Sequence, residues 1–266
     1  MKWLEMYFDK EISKKFAELE QNERNFKVSE IVDKITMEEI KCFWWLPLHA
    51  VELWWWAHPD RYHDLFKYLI KSWSKIDWVD ISLTMLNLAK SYLKNEFKNR
   101  IKVLNFIESD IEKYLKSLDD NELDIIIMKY TFEFIENLDD FFFLISKKLK
   151  NGRSLISTIS HSDENIKIIT TNTKFFINWK DFWNDKELKV KLKDWDRILL
   201  KFFKESWNPD SGFLEWAETM IYYHSFKKII NSAKKHNLKV FIQDWNDFLP
   251  MEKKMDIKQT ILLIRK

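Results

Sequence analysis

The sequence predicts an α/β fold, a doubly wound and mostly parallel seven-stranded sheet with a C-terminal antiparallel hairpin. Short apolar runs alternate with helical patterns from residue 48 to residue 159, as in parallel strands joined by crossover helices. The run LDIIIM at residues 123–128 is typical of a central strand that is covered on both faces. The last two strand-like runs have no helical pattern between them, which indicates an antiparallel pair.

The composition excludes several classes of protein. The 266 residues are 46% hydrophobic and 32% charged, with a formal net charge of +2, which argues against a disordered chain and against a nucleic-acid partner. The single cysteine, Cys42, excludes internal disulfides and multi-cysteine zinc sites, so we expect no metal and a reducing, cytoplasmic location. No uncharged apolar window of about 18 residues is present, and we expect no membrane partner.

The spacing of apolar residues indicates two parts of the chain, an N-terminal cap and one larger domain. Residues 1–45 carry apolar residues at helical spacing and are predicted to form an N-terminal helical cap. Residues 46–266 form the predicted α/β domain. The first five strands are predicted at residues 48–53, 75–79, 101–107, 123–128 and 154–159.

The helices between these strands have recognisable starts and stops. Pro59 opens the first helix, because a proline at the first helical position loses no hydrogen bond. Ser82 caps the helix that follows the second strand. A helix over 138–150 is predicted to stop at Asn151-Gly152.

A long insert follows the fifth strand. The segment at about 160–224 exceeds an ordinary connection, and the next clear helix spans 225–236. Alternating apolar residues over 188–203, on both sides of Asp194-Trp195, predict a β-hairpin in the insert. The strands 238–242 and 260–264 form the predicted C-terminal hairpin.

Three acidic residues stand at the C-terminal ends of successive predicted strands: Glu52, Asp80 and Asp110. Open α/β sheets bind ligands at that edge. A carboxylate at the end of the second strand can accept hydrogen bonds from both hydroxyls of a ribose. Simpler interpretations stay open for each residue: Asp80 as a solvated loop acid, Glu52 as a structural acid beside a helix, and Asp110 as one of the acids that often follow strands.

The segment around Asp80 carries a family resemblance. Ile76 to Ser82 (IDWVDIS) resembles the second-strand signature of class I S-adenosylmethionine-dependent methyltransferases. Ser109-Asp110-Ile111 is similar to their adenine-contacting position, and Leu123–Tyr130 to their fourth strand. The resemblance covers about residues 45–160 and, less closely, 225–266.

The resemblance implies a Rossmann-like methyltransferase domain at 46–266, with the insert at about 160–224 on the substrate side. It implies S-adenosylmethionine as the cofactor. The cofactor-binding residues that it implies are Glu52, Trp54, Trp56, Asp80, Ile81, Asp110 and Ile111.

Tryptophan stands where the family has glycine. The family's first motif is an acid followed by a glycine-rich turn, whereas Glu52 is followed by Leu53-Trp54-Trp55-Trp56. Only glycine permits the close backbone approach and the positive φ angles of such a turn. The chain has 2 Gly and 14 Trp, and Trp73 and Trp78 also occupy expected glycine positions. We hypothesise that most of these positions are glycine in the living cell, encoded by UGA codons that some bacterial lineages read as glycine. TGG codons there would contradict this.

His161 and Tyr130 are the candidate catalytic residues. His161 follows the fifth strand and would be a general base, although a solvated loop histidine is the simpler interpretation. Tyr130 lies two residues after the predicted fourth strand. Because a sulfonium is already a reactive methyl donor, proximity and orientation can supply much of the catalysis. The run Tyr222-Tyr223-His224 is interpreted as aromatic packing, or otherwise as a wall of the substrate site.

The predicted function is methyl transfer from S-adenosylmethionine to a small-molecule acceptor. The fourth strand continues as Lys129-Tyr130-Thr131 and lacks the Asn-Pro-Pro-Tyr of many methyltransferases that act on nucleic-acid bases. One alternative is a catalytically inactive binding protein of the same fold, which follows if the tryptophans are real. Another is an NAD(P)-dependent oxidoreductase, against which the terminal antiparallel pair argues. The acceptor, its reacting atom and the oligomeric state are left open.

Overall fold

The computed structural model describes residues 23–43, 47–53, 63–159, 166–167, 173–181, 189–190, 192–194, 196–205, 208–248, 251 and 260–266. The α-helices in this part of the chain are α1 (Glu23–Lys41), α2 (His63–Lys71), α3 (Leu83–Phe97), α4 (Ile111–Ser117), α5 (Leu138–Lys148) and α6 (Phe226–Lys235). The strands are β1 (His49–Leu53), β2 (Lys75–Asp80), β3 (Leu104–Glu108), β4 (Leu123–Met128), β5 (Leu149–Ile159), β6 (Ile166–Lys167), β7 (Thr173–Ile177), β8 (Lys180–Asp181), β9 (Lys189–Val190), β10 (Arg197–Glu205), β11 (Asn208–Tyr222), β12 (Lys239–Asp244) and β13 (Thr260–Arg265).

Seven strands form the central sheet, in the order β12-β13-β5-β4-β1-β2-β3. The pairs among β1 to β5 are parallel. Strand β13 runs antiparallel to both β5 and β12. The predicted fold class, including the C-terminal antiparallel hairpin, is therefore confirmed.

Helices cover both faces of this sheet, which explains the continuous apolar strands. Every residue of β4 is buried, as expected when neither face contacts water. We call the face under α1, α2 and α3 the cap face; Ala50 of β1 belongs to its core. The opposite face packs against α4, α5 and α6 and includes Val51 and Leu53. None of the described helices combines the length and apolar character needed to cross a bilayer.

Two element boundaries differ from the prediction for local reasons. Strand β3 begins at Leu104, because residues 98–103 form a 3₁₀ helix instead of the start of the strand. Helix α5 ends at Lys148, and Asn151-Gly152 lies inside β5. Gly152 has a φ of 73° and its N–H donates to the Lys266 carbonyl, so the glycine shapes an irregular strand rather than ending the helix.

The predicted hairpin over 188–203 is wrong. Strand β9 pairs with β6, whereas β10 pairs antiparallel with both β7 and β11. The insert therefore contains a four-stranded sheet in the order β11-β10-β7-β8. Alternating hydrophobicity identified β10 as a strand but assigned it the wrong partner. Strand β10 pairs with the next strand in the sequence, β11, where Glu205 lies opposite Asn208, and with β7 on its other side.

Trp73 and Trp179 adopt left-handed backbone conformations, with φ of 59° and 70°. Trp73 follows α2 at the position where helices favour glycine: its N–H donates to the Ile70 carbonyl and the Ser74 N–H to the Leu69 carbonyl, the two bonds of a Schellman motif. Both indoles are exposed. By contrast, Trp78 is buried. The glycine hypothesis stays a prediction, and the backbone supports it at Trp73 and Trp179.

We expect Trp73→Gly to raise the free energy of unfolding by about 1 kcal/mol, since glycine adopts positive φ without a Cβ clash. Denaturant unfolding of the purified proteins measures this. Trp73→Ala is the matched control, because it removes the exposed indole and keeps the Cβ. Equal stabilities of the glycine and alanine variants would contradict a backbone origin of the effect.

Candidate functional site

Glu52 and Asp80 lie together at the carboxyl edge of the sheet. Strand β1 pairs in parallel with β2, with Glu52 opposite Trp78. Side chains alternate along a strand, so Glu52 shares the cap face with Ala50, and Asp80 shares it with Trp78, since Ala50 and Trp78 both belong to the core of that face. The two predicted acids are therefore on one face of adjacent strands.

Glu52 is a buried acid without a hydrogen-bonding partner among the described residues. Its side chain is 1% exposed, and neither carboxyl oxygen has a partner in that part of the chain. Burial raises the pKa of Glu52 to about 8, the charge of Lys129 works against that rise and the charge of Asp33 adds to it. The carboxyl is therefore mainly protonated at neutral pH, and its oxygens retain hydrogen-bonding capacity for a polar ligand.

Asp80 is fixed in position by the turn after β2. Its Oδ1 accepts a hydrogen bond of 2.7 Å from the Ser82 N–H, and Ser82 in turn caps α3 by accepting from the Met85 N–H. Burial raises the pKa of Asp80 well above its usual value, against the hydrogen bonds from the Ser82 and Ile81 backbone. The predicted cofactor residue Ile81 packs against the cap-face core.

Asp110 and Ile111 have local roles that the sequence pattern did not separate from ligand binding. Asp110 is exposed and caps α4, because its Oδ1 accepts from the Lys113 N–H at 2.8 Å. Ile111 packs against the core opposite the cap face. These contacts account for both residues without a ligand, so their place in a cofactor site stays a prediction.

Tyr130 is the second residue after β4, in a segment that is hydrogen-bonded to neighbouring strands. Its backbone has a φ of 56°, and its N–H donates to Thr158 Oγ1 at 2.8 Å. Thr131 Oγ1 donates to the Leu53 carbonyl at 3.2 Å, which ties this segment to the end of β1. An unusual backbone at the carboxyl edge is a common feature of ligand sites. Trp54, Trp56 and His161 lie outside the described residues.

The site contains a buried ion pair that sequence reasoning missed. Lys129 Nζ lies 2.5 Å from Asp33 Oδ1, and the lysine side chain is fully buried. Burial raises the pKa of Asp33 to about 6, although the Lys129 charge and hydrogen bond lower it. The available signals were an aspartate within the apolar stripe of α1, beside Val32, and a lysine continuing an apolar strand.

The insert is attached to the loop after β4. His224 Nε2 lies 2.6 Å from the Ile135 carbonyl oxygen, and Arg197 Nη2 lies 3.3 Å from Glu136 Oε1. His224 is 2% exposed, and burial lowers its pKa. Of the two interpretations of the 222–224 run, packing suits His224. Phe202 of β10 belongs to the cap-face core, so this part of the insert reaches the face of the sheet that carries Glu52.

The arrangement suits a ligand with an ammonium group and a pair of hydroxyls. Two buried carboxyls lie on adjacent strands, and the oxygens of Glu52 have no partner among the described residues. Within the described ranges, no cluster of three or more His, Cys, Asp and Glu residues could hold a metal ion. Acids at this position can bind a cation or accept hydrogen bonds.

Comparisons with known proteins agree on one family. A family model described as "Methyltransferase domain" matches residues 63–205, more than half of the chain. The comparison with curated proteins gives no match.

Solved structures show the same fold. A protein from Listeria monocytogenes, assigned as an S-adenosylmethionine-dependent methyltransferase, has a TM-score of 0.55 at 14% identity, covering 86% of this chain and 96% of its own. The CcbJ methyltransferase from Streptomyces caelestis has a TM-score of 0.54 at 10% identity, with coverages of 90% and 95%. An S-adenosylmethionine-dependent methyltransferase from Clostridium acetobutylicum has a TM-score of 0.53 at 14% identity, with coverages of 96% and 96%.

Glu52 should make stability depend on pH in a defined direction. An acid whose pKa is raised on folding contributes stability below its unfolded pKa of 4.5, and that stability is lost as the pH rises towards about 8. We expect Glu52→Gln, which cannot ionise, to gain stability over the parent by about 2 kcal/mol or more between pH 5 and pH 8.

Chemical denaturation at several pH values measures this difference. Glu38→Gln is the control, because Glu38 is an exposed acid on α1. A difference between Glu52→Gln and the parent that stays constant over this pH range would show that Glu52 is not held protonated.

Proposed function

The chain belongs to the methyltransferase-domain family and shares its fold with S-adenosylmethionine-dependent methyltransferases. From that premise we propose that it binds S-adenosylmethionine and transfers the cofactor's methyl group to a small-molecule acceptor. The observation that carries the proposal is the pair of buried carboxyls, Glu52 and Asp80, on one face at the carboxyl ends of adjacent strands. A cytoplasmic location is part of the proposal.

Each acid has a distinct role in this proposal. Glu52 binds the ammonium group of the cofactor's amino-acid portion, because its oxygens have no partner among the described residues. Asp80 accepts hydrogen bonds from the ribose hydroxyls, and the Ser82 N–H orients its carboxyl. Ile81, Asp110 and Ile111 flank the adenine. When bound, S-adenosylmethionine supplies an electrophilic methyl group on a sulfonium.

The acceptor is held between the helical cap at 1–45 and the insert at about 160–224. Two observations support this placement: α1 contributes Val32 to the cap-face core, and β10 contributes Phe202 to the same core. Helix α1 and strand β10 therefore both reach the side of the sheet that carries Glu52 and Asp80. The proposed catalysis is positioning of the acceptor and exclusion of water. His161 or Tyr130 acts as a general base where the acceptor must lose a proton.

The second candidate is a methyltransferase-fold protein that does not catalyse the reaction. The observation that favours it is the run Trp54-Trp55-Trp56 after Glu52, since three indoles would fill the space of the cofactor. This candidate and the first differ in cofactor binding, which makes binding the decisive measurement.

Calorimetry with S-adenosylmethionine on two proteins separates the candidates. The first protein has the sequence as written, and the second has glycine at positions 54, 55, 56 and 78. We expect binding by the glycine form only, because its first turn can approach the cofactor. Failure of both forms to bind would defeat the methyltransferase proposal, and tight binding by the sequence as written would remove the steric argument.

Asp80→Ala tests the proposed ribose contact in whichever form binds. Loss of two hydrogen bonds to the Asp80 carboxyl is expected to weaken binding by about tenfold to a hundredfold. Asp119→Ala is the matched control, since Asp119 is an exposed acid in the loop that enters β4 at the opposite edge. Equal affinities of the two variants would contradict the assignment of Asp80.

A further inference from the structure

We propose that Asp33 and Lys129 are positioning residues of the cofactor site, in which Asp33 holds the Lys129 ammonium and so keeps the Glu52 carboxyl available for the cofactor's own ammonium group. This inference rests on the proposed function. It assigns part of the cofactor site to helix α1, which lies far from the strand-end motifs in the sequence.

The three groups occupy one region of the structure. Glu52 is at the carboxyl end of β1, and Lys129 directly follows β4, the parallel neighbour of β1. Asp33 reaches this edge from α1 across the cap face and contacts Lys129 at 2.5 Å. The electrostatic influence of both residues on the pKa of Glu52 is consistent with this proximity.

The pairing of the buried charges explains why Glu52 has no ionic partner among the described residues. The Lys129 side chain is fully buried, so its ammonium requires an acidic partner in the low-dielectric interior. Asp33 provides that partner. Glu52 is also buried, and neither of its oxygens has a partner in the described part of the chain, so the lysine that could neutralise it is bonded to another acid.

The remaining charged groups around Asp33 are consistent with the pairing of Lys129 and Asp33. Glu30 on α1 and Asp64 on α2 are both acidic and exposed, and both raise the pKa of Asp33. Among the described residues, Lys129 is the cation whose charge lowers the pKa of both Asp33 and Glu52. The buried Lys129 ammonium therefore lies near two buried carboxyls, those of Asp33 and Glu52. A cationic ligand beside Glu52 would balance the second negative charge.

Anchoring of α1 does not require this ion pair. The helix packs on the cap face through Ile31, Val32 and Ile35. Towards its other end, Glu39 binds Arg265 and accepts from Ser154 Oγ at 2.7 Å. A buried ion pair is often no more stabilising than apolar residues of the same volume, so its place at the ligand edge points to positioning.

Binding is then coupled to proton release. At neutral pH, Glu52 carries a proton that is lost to the buffer when the cofactor's ammonium group binds beside it. The exchange replaces one positive charge by another, so the net charge of the buried cluster is conserved. Binding enthalpies measured in buffers of different ionisation enthalpy report this proton directly.

The test is calorimetry with S-adenosylmethionine at pH 7, in phosphate and in Tris, on the form of the chain that binds. We expect Asp33→Asn to weaken binding at least about tenfold and to abolish proton release, because Lys129 then pairs with Glu52. Adding Lys129→Met to Asp33→Asn removes the competing ammonium. We expect the double variant to recover most of the lost affinity and the proton release.

The pattern of rescue separates positioning from structural support. A purely structural pair predicts a double variant no better than Asp33→Asn, and that result would overturn the inference. Unchanged affinity and proton release in Asp33→Asn would overturn it as well. If Asp33→Asn does not fold, the double variant, which has no buried ion pair, still decides: retained binding and proton release support positioning, and their loss contradicts it. Absence of binding by either parent form contradicts the proposed function itself.

Discussion

The parallel pairing of β1 with both β2 and β4 is the constraint on which the site depends. Parallel strands end at the same edge, so residues that follow them in distant parts of the sequence become neighbours. Three strands bring their charged residues to this edge: β1 carries Glu52, β2 carries Asp80, and Lys129 follows β4. Helices on both faces exclude water from it, and burial shifts the pKa values of Glu52 and Asp80 upward.

Buried acidic residues have different hydrogen-bonding partners at the two edges of the sheet. Near the amino ends, burial opposes ionisation of Asp77, but hydrogen bonds from His49, Asn105 and Tyr114 outweigh it and lower its pKa. Asp124 is likewise bonded by Lys150 at 2.7 Å. At the carboxyl edge, one lysine faces two acids. Among the described residues, the charges at the amino edge are paired and the Glu52 carboxyl at the other edge has no partner. This difference separates structural support from ligand binding.

The cap and the insert join the site through the same face. Helix α1 supplies Asp33, and the insert is held to the loop after β4 by His224. Both elements contribute to the apolar core beside Glu52. In the proposed function, the acceptor therefore contacts the cap and the insert, whereas the cofactor contacts acids at strand ends.

Apolar periodicity and short motifs are local properties, so the strands of the sheet, their carboxyl ends and the acids Glu52 and Asp80 could be predicted from the sequence. Helix α6, with its Ser225 cap, was also predictable for that reason. The pairing of β10 with β7 and the bond between Asp33 and Lys129 across 96 positions of sequence became visible only in the folded structure. Partner choice between distant segments depends on which surfaces the fold brings together, and no local pattern contains that information.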